Sequence, residues 1–133
     1  MIDIYAYTAG LMDGEGTIAL TKNHKKDKFR CPWITLTSTT WNIVEFLKVN
    51  FGGTISIKKT YKEHHKKCWV WTLRYDKALA LCRNIYPFLL EPSKKNRCEM
   101  LITSYKKVTS PNGKYSQDMI DKKIEFEQIF LSV

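Results

Sequence analysis

The feature that most constrains this chain is the stretch over residues 4–16, which reads as a helix that ends on a carboxylate. Its apolar positions are spaced three and four residues apart, so one side of the helix can face a core. These positions are Ile4, Thr8, Leu11 and Met12. Gly14 and Gly16 flank Glu15 and predict the end of the helix, because glycine tolerates the backbone angles of a C-terminal cap. Glu15 is therefore expected at the helix exit, exposed and held in one direction.

The same helix carries a second stripe, which is made mostly of small residues. Its members are Ala6, Ala9, Gly10, Asp13 and Gly14. Small side chains at this spacing let the backbone of another helix approach closely. The stripe therefore predicts a close contact between two helices on this side.

The chain is strongly basic, and its charge is unevenly distributed. The formal net charge is +9, yet residues 1–20 contain three acids and neither Lys nor Arg. The bases are concentrated later, over residues 22–30, 58–67 and 94–97. This pattern is expected of a protein whose basic segments bind an anionic polymer and hold it near an acid that binds a metal ion. On charge alone, the solvated basic face of an ordinary stable domain is an equal alternative.

Alternating apolar and polar residues predict two hairpins that are separated by a helix. The expected strands are residues 16–23, 31–38, 54–61 and 68–75, and the expected helices after the first are 41–50, 76–88 and 94–105. Asp76 is expected to cap the third helix, and residues 91–93 are expected to separate it from the fourth helix. A last helix begins at Ser116, with its inward positions at Ile120, Ile124, Glu127 and Phe130.

This order of elements predicts an α+β fold, with one four-stranded antiparallel sheet and helices on its apolar face. We expect residues 1–108 to form the main domain, and residues 109–133 to form a linker and a C-terminal amphipathic helix packed on it. The other sheet face is rich in Thr, Ser, Asn and Lys, which suits a DNA major groove. The residues expected to contact DNA are Thr17, Thr21, Asn23, Lys25, Lys26, Lys28, Arg30, Trp33, Thr35, Thr37, Thr54, Ser56, Lys58, Thr60, Lys62 and Lys66.

Residues 8–16 resemble the signature of the LAGLIDADG homing endonucleases, with Thr8 and Met12 as the departures from it. Further residues fall in the family's order and rough spacing, so that the resemblance covers about residues 4–105. They are Thr39, the turn at residues 51–53, Trp71 with Ala78, residues 86–89, and Lys94 with Lys95. The resemblance implies the αββαββα fold, in which the sheet forms a DNA-binding saddle.

The resemblance also implies a chemistry, namely divalent-metal-dependent cleavage of double-stranded DNA at a long, near-palindromic site. Glu15 would bind Mg2+, or Mn2+ or Ca2+ in its place, and Gly14 would add its carbonyl oxygen. Lys94 would assist catalysis near the scissile phosphate, and Lys95 is the alternative because residues 91–93 resemble a small insertion. Asp13 matches the first acid of the signature, although a structural hydrogen bond explains it equally well.

The chain contains one signature helix, so the resemblance implies a homodimer. Ala6, Ala9, Gly10 and Asp13 would meet their counterparts across a two-fold axis and place both copies of Glu15 at its foot. The gene could lie within an intron or an intein, or stand free.

Other interpretations stay open at this point. A non-cleaving nucleic-acid binder on the same scaffold, either an RNA-splicing maturase or a transcription factor, is the main alternative. A zinc site at His64, His65 and Cys68 is weakly indicated, because a matched second ligand pair is lacking. The sequence has neither a long apolar run nor a signal-peptide pattern, so we expect an intracellular protein that is not secreted and has no membrane partner.

Overall fold

The computed structural model describes residues 2–58 and 67–133. The predicted DNA contacts Thr60, Lys62 and Lys66 and the zinc candidates His64 and His65 lie outside these residues. The helices and strands are α1 (Ile4–Glu15), β1 (Gly16–Thr21), β2 (Cys31–Ser38), α2 (Trp41–Phe51), β3 (Thr54–Lys58), β4 (Cys68–Arg74), α3 (Tyr75–Ile85), α4 (Pro92–Met100) and α5 (Gln117–Leu131). Short 3-10 and π turns continue α3 and α4 as far as Phe88 and Val108.

The four strands form one antiparallel sheet in the order β1-β2-β4-β3. Alternate residues of the two central strands, Ile34 and Leu36 in β2 and Trp71 and Leu73 in β4, are almost completely buried. Helices α1, α2 and α3 pack against these strands from the same side. The predicted α+β fold with the αββαββα order is therefore confirmed. Within the described residues, none of the helices has the length and apolar character of a membrane span.

Helix α1 turns a different stripe toward the core from the one that the spacing predicts. The buried residues are Thr8, Ala9 and Met12, while Ile4 and Leu11 are only half-buried. Asp3 starts the helix, because its carboxylate accepts hydrogen bonds from the N–H groups of Tyr5 and Ala6. The buried stripe therefore includes Ala9, which belongs to the core of its own chain.

Gly16 ends α1 as predicted, but for another reason. Its φ of −84° and ψ of 164° are extended, not left-handed. A Cβ at this position would collide with the side chain of Met12 and lie 2.8 Å from the Cα of Met12. Glycine is therefore required by packing at the helix exit. Positive φ angles, which favour glycine, occur instead at Gly52 and Gly53 in the turn between α2 and β3.

Two of the predicted helix boundaries differ from those observed. Asp76 lies inside the first turn of α3, where it pairs with Lys106 at 2.7 Å, and Arg74 is the N-cap. The break predicted at residues 91–93 is present but lies at residues 89–91, because Glu91 caps α4 through its side chain and Pro92 occupies the first turn. Proline is favoured there because the first N–H groups of a helix have no partner within it.

Helix α5 packs on the main domain through a stripe that contains two charged residues. The buried members are Lys123, Phe126, Glu127 and Phe130, whereas the predicted inward residue Ile124 is 42% exposed. Glu127 is paired with Arg30, so its charge is compensated at the buried surface. The guanidinium of Arg97 donates to the Val133 carbonyl, which holds the end of α5 near α4.

Lys123 is the most completely buried cation among the described residues, with 1% exposure. Its Nζ donates to Thr109 Oγ1 at 2.6 Å and lies 4.3 Å from the ring centre of Tyr105. Burial lowers the pKa of Lys123 to about 8, and the nearby Glu127 carboxylate opposes part of this shift. The positive charge is therefore retained at a cost to stability.

We expect Lys123→Met to stabilise the fold near neutral pH by up to about 3 kcal/mol, because the desolvated charge is removed while the chain length is kept.

In the wild type, the unfolded chain binds more protons than the folded chain between the folded pKa of about 8 and the ordinary value of 10.5. The free energy of unfolding of the wild type should therefore increase as the pH rises through this window. Urea titrations at a series of pH values measure both effects. Lys122→Met at the exposed neighbouring position is the control, and an unchanged slope in Lys123→Met would contradict the assignment.

Candidate active site and nucleic-acid interface

Glu15 lies at the C-terminal end of α1 with its side chain exposed. Within residues 2–58 and 67–133, it has neither a hydrogen-bond partner nor an ion-pair partner for its carboxylate. The same residues contain no group of three or more side chains that could hold a metal ion. One chain therefore offers the hard oxygen of Glu15, with the carbonyl of Gly14 next to it, which is a donor chemistry that Mg2+ prefers but fewer ligands than it needs.

Lys94 extends from the first turn of α4 to the end of α1. Its Nζ donates to the carbonyl oxygens of Met12 at 2.8 Å and of Asp13 at 2.9 Å. A cation is favourable here because the helix dipole and the last carbonyls make the C-terminal end negative. The side chain of Lys95 points elsewhere, with its Nζ 5.2 Å from the ring centre of Tyr86. Of the two predicted lysines, Lys94 is the one that reaches the helix end that carries Glu15.

Asp13 makes the structural hydrogen bonds that the sequence left as one of its two explanations. Its carboxylate accepts the N–H of Leu90 at 3.1 and 3.2 Å and the N–H of Glu91 at 3.0 Å. The side chain is half-buried and committed to its own chain. Asp13 therefore joins α1 to α4 within the chain, and its place at a contact with a second copy stays a prediction.

The face of the sheet opposite the helices is polar and open. Its central row consists of threonines directly opposite one another on the four strands, namely Thr17, Thr35, Thr72 and Thr54. The other predicted contacts on this face are Trp33, Thr37, Ser56 and Lys58, and Thr21 lies half-buried at the end of β1. The sheet therefore presents hydroxyl groups, which can both donate and accept hydrogen bonds.

Two residues of this face, Thr72 and Arg74, were missed from the sequence. The Arg74 guanidinium lies 4.1 Å from the ring centre of Trp33, and its Nη1 donates to the Asn23 Oδ1 at 3.1 Å. These contacts hold an exposed cation in one orientation. The signal was available, because Thr72 and Arg74 alternate with the buried Trp71 and Leu73.

The basic loop between β1 and β2 contains two kinds of cation. Lys25, Lys26 and Lys28 are exposed. Arg30 instead faces α5, where its Nη1 lies 3.1 Å from Glu127 Oε1 and its backbone N–H donates to Glu127 Oε2. Arg30 therefore anchors the loop to α5, and its contact with DNA stays a prediction.

The small stripe of α1 is open only in part. A Cβ built on Gly10 or on Gly14 would meet no atom within 4 Å, and Tyr7 beside them is 44% exposed. Ala6 is half-buried. Ala9 is 0% exposed in the core of its own chain, so its prediction as a residue of the dimer interface is wrong. The open face is therefore formed by Tyr7, Gly10 and Gly14.

Two further side chains near these surfaces make local contacts. Ser38 is buried, and its Oγ accepts the N–H of Thr40 at the start of α2. The exposed face of Trp33 is shared with Arg74, which limits stacking with a base.

The chain has the fold of the LAGLIDADG homing endonucleases. The homing endonuclease I-CvuI in complex with its target superposes with a TM-score of 0.72 and 14% identity, over 97% of this chain and 80% of that one. The archaeal intron-encoded I-Vdi141I complexed with DNA gives a TM-score of 0.61 and 12% identity, over 97% and 82% of the two chains. The LAGLIDADG enzyme I-GzeII in complex with its DNA target gives 0.61 and 19%, over 92% of this chain but 43% of that one.

No protein-family sequence model and no curated protein matches the chain. The likeness therefore rests on the arrangement of helices and strands, which the sequence resemblance over residues 8–16 had already indicated.

The different positions of Lys94 and Lys95 predict different stabilities for their variants. Lys94→Met should destabilise the fold by about 1–3 kcal/mol, because two charge-assisted hydrogen bonds to α1 are lost. Lys95→Met, its matched control, should cost less than about 1 kcal/mol, the value of an exposed contact with an aromatic ring. Thermal and urea unfolding provide the comparison. Equal losses would mean that Lys94 does not hold the end of α1 in solution.

Proposed function

We propose that this protein is a divalent-metal-dependent endonuclease that cuts double-stranded DNA at a long, near-palindromic site as a homodimer. The observation that carries the proposal is the end of α1, where the Lys94 ammonium binds the Met12 and Asp13 carbonyls and the Glu15 carboxylate has no partner among the described residues. We further propose that it acts inside the cell, encoded by an intron or intein or by a free-standing gene.

The metal would be held by the Glu15 carboxylate and the Gly14 carbonyl of each of two copies. A bound Mg2+ polarises a phosphodiester, stabilises the leaving oxygen and helps to generate hydroxide. The chain's own contribution is to present Glu15 at a rigid helix end, because Gly16 packs on Met12 directly behind it. Lys94 would place its remaining N–H donor toward a phosphate oxygen, which gains negative charge during cleavage.

The polar sheet face would lie in the major groove. The row of threonines offers hydrogen bonds to base edges, and the exposed Lys25, Lys26 and Lys28 would contact phosphates at one end. The net charge of +9 supports this arrangement, since Lys and Arg residues release counterions from DNA. Binding would therefore weaken steeply as the salt concentration rises.

A second copy would complete the site. One chain spans 80% of I-CvuI but 43% of I-GzeII, which leaves room for two units of this size in the longer protein. The open face of Tyr7, Gly10 and Gly14 offers a surface along which two α1 helices could pack closely. Pairing there would bring both copies of Glu15 to the same end of the contact.

Glu15→Gln should abolish cleavage in Mg2+ while keeping target affinity within about tenfold, because the variant loses a metal ligand but keeps the sheet face. The measurement pairs a cleavage assay with a binding assay on a duplex selected from a random library. The exposed Glu45→Gln on α2 is the matched control and should cut normally. A wild type that binds its selected duplex but never cuts it would instead identify a non-cleaving binder such as a maturase or a transcription factor.

Gly10→Leu should shift the protein toward monomer and lose cleavage, because a close helix crossing has no room for added methylenes. Overpacking costs roughly 1–3 kcal/mol per site, and a two-fold axis applies the change twice. Sedimentation equilibrium with and without DNA tests this, and circular dichroism checks that each chain still folds. Asn42→Leu, at an exposed position of α2, is the control. If Gly10→Leu dimerises and cuts normally, α1 is not the interface.

Arg74→Lys should relax the base preference at one position of each half-site, by about 1–3 kcal/mol of discrimination, because lysine lacks the planar fork that pairs with guanine. Its charge is kept, so a role limited to phosphate contact would leave the preference unchanged. Binding-site selection with the wild type and the variant distinguishes the two outcomes.

A further inference from the structure

We infer that Glu91 is a positioning residue that sets the place of the Lys94 ammonium in the active site. The inference rests on the proposed endonuclease function. Glu91 does not touch Glu15, and it would act on the reaction only through Lys94. A closed ring of hydrogen bonds joins the end of α1 to the start of α4 through Asp13, Glu91 and Lys94.

The first link of the ring runs from α1 to the backbone before α4. The Asp13 carboxylate accepts N–H groups from Leu90 and Glu91, with the Glu91 bond at 3.0 Å. Both oxygens take part, so the backbone at residues 90–91 is fixed relative to the last turn of α1. This link places the start of α4 but does not by itself orient Lys94.

The second link is made by Glu91 itself. Its Oε1 accepts the N–H of Ser93 at 3.2 Å, and its Oε2 accepts the N–H of Lys94 at 2.7 Å. These bonds cap α4, whose first N–H groups would otherwise lack partners. The shorter bond goes to the backbone of Lys94, so Glu91 holds the Cα from which the lysine side chain extends.

The third link returns to α1. Lys94 Nζ donates to the Met12 and Asp13 carbonyls, which occupies two of the three N–H donors of an ammonium group. The remaining donor is available to a substrate phosphate near Glu15. If the Glu91 cap is lost, Lys94 keeps its charge but loses the fixed backbone that directs this donor.

The ring makes Glu91 different from an ordinary helix cap, and the chain provides a cap for comparison. Ser116 caps α5 by accepting the N–H of Met119 at 3.3 Å, and it has no link to Glu15 or Lys94. Removal of either cap should weaken one helix start to a similar degree. Only the loss of Glu91 should also change the chemistry at α1.

A double-mutant cycle tests the link to catalysis. We expect Glu91→Ala to slow single-turnover cleavage about 10- to 100-fold with target affinity nearly unchanged, and Ser116→Ala to cut at the wild-type rate. In a Lys94→Ala background, Glu91→Ala should change the rate by less than about twofold, because both substitutions remove the same contribution. Glu91→Asp, which keeps a carboxylate at the cap, should recover most of the rate. Independent, multiplicative losses in the double variant would overturn the inference.

A second measurement does not depend on cleavage. The ammonium of Lys94 should give a slowly exchanging 1H–15N signal in NMR spectra of the wild type, assigned by its loss in Lys94→Arg. We expect the signal to disappear in Glu91→Ala and to remain in Ser116→Ala. A signal that persists in Glu91→Ala would show that Lys94 is held without Glu91 and would overturn the inference. A wild type that fails to cut DNA would instead overturn the proposed function, and the NMR comparison would then decide the role of Glu91 alone.

Discussion

The hydrogen bonds between Lys94 and the last carbonyls of α1 are the interaction on which the candidate site depends. A helix that ends on a carboxylate carries negative charge at an end that is already negative because of its dipole. Lys94 offsets this charge from another helix, and it leaves the Glu15 carboxylate without a partner of its own among the described residues. The compensating cation binds the backbone beside the acid and not the acid itself.

The same junction explains why α1 can serve two surfaces at once. Its buried side is held by Thr8, Ala9 and Met12, and its end is held by Asp13 and Lys94. On the remaining side, a Cβ built on Gly10 or Gly14 would meet no atom of the described residues within 4 Å. A helix fixed on two sides can leave its third side open without losing its position, which is what pairing of two rigid acids would require.

The fold could be predicted from the sequence almost completely, and the site only in part. Alternation at β2 and β4 is strong, since apolar residues face helices on one side and threonines face solvent on the other. The errors arose where a residue serves a tertiary contact that local spacing does not encode. Ala9 is completely buried in its own chain, Gly16 is small because Met12 lies against it, and Lys123 is buried with an aromatic ring beside its ammonium. Glu91 and Pro92 look like a break in sequence, yet they form the cap and first turn of α4.

We propose that two copies of α1 place two Glu15 carboxylates around a shared metal site on DNA. A crystal structure of the wild type on its selected duplex, grown with Mn2+ and measured at the manganese absorption edge, tests this pairing. We expect two chains on one duplex, contact between the Gly10 faces, and anomalous peaks about 2.0–2.4 Å from the carboxylate oxygens of both Glu15 residues. One chain per duplex, or metal peaks away from Glu15, would contradict it.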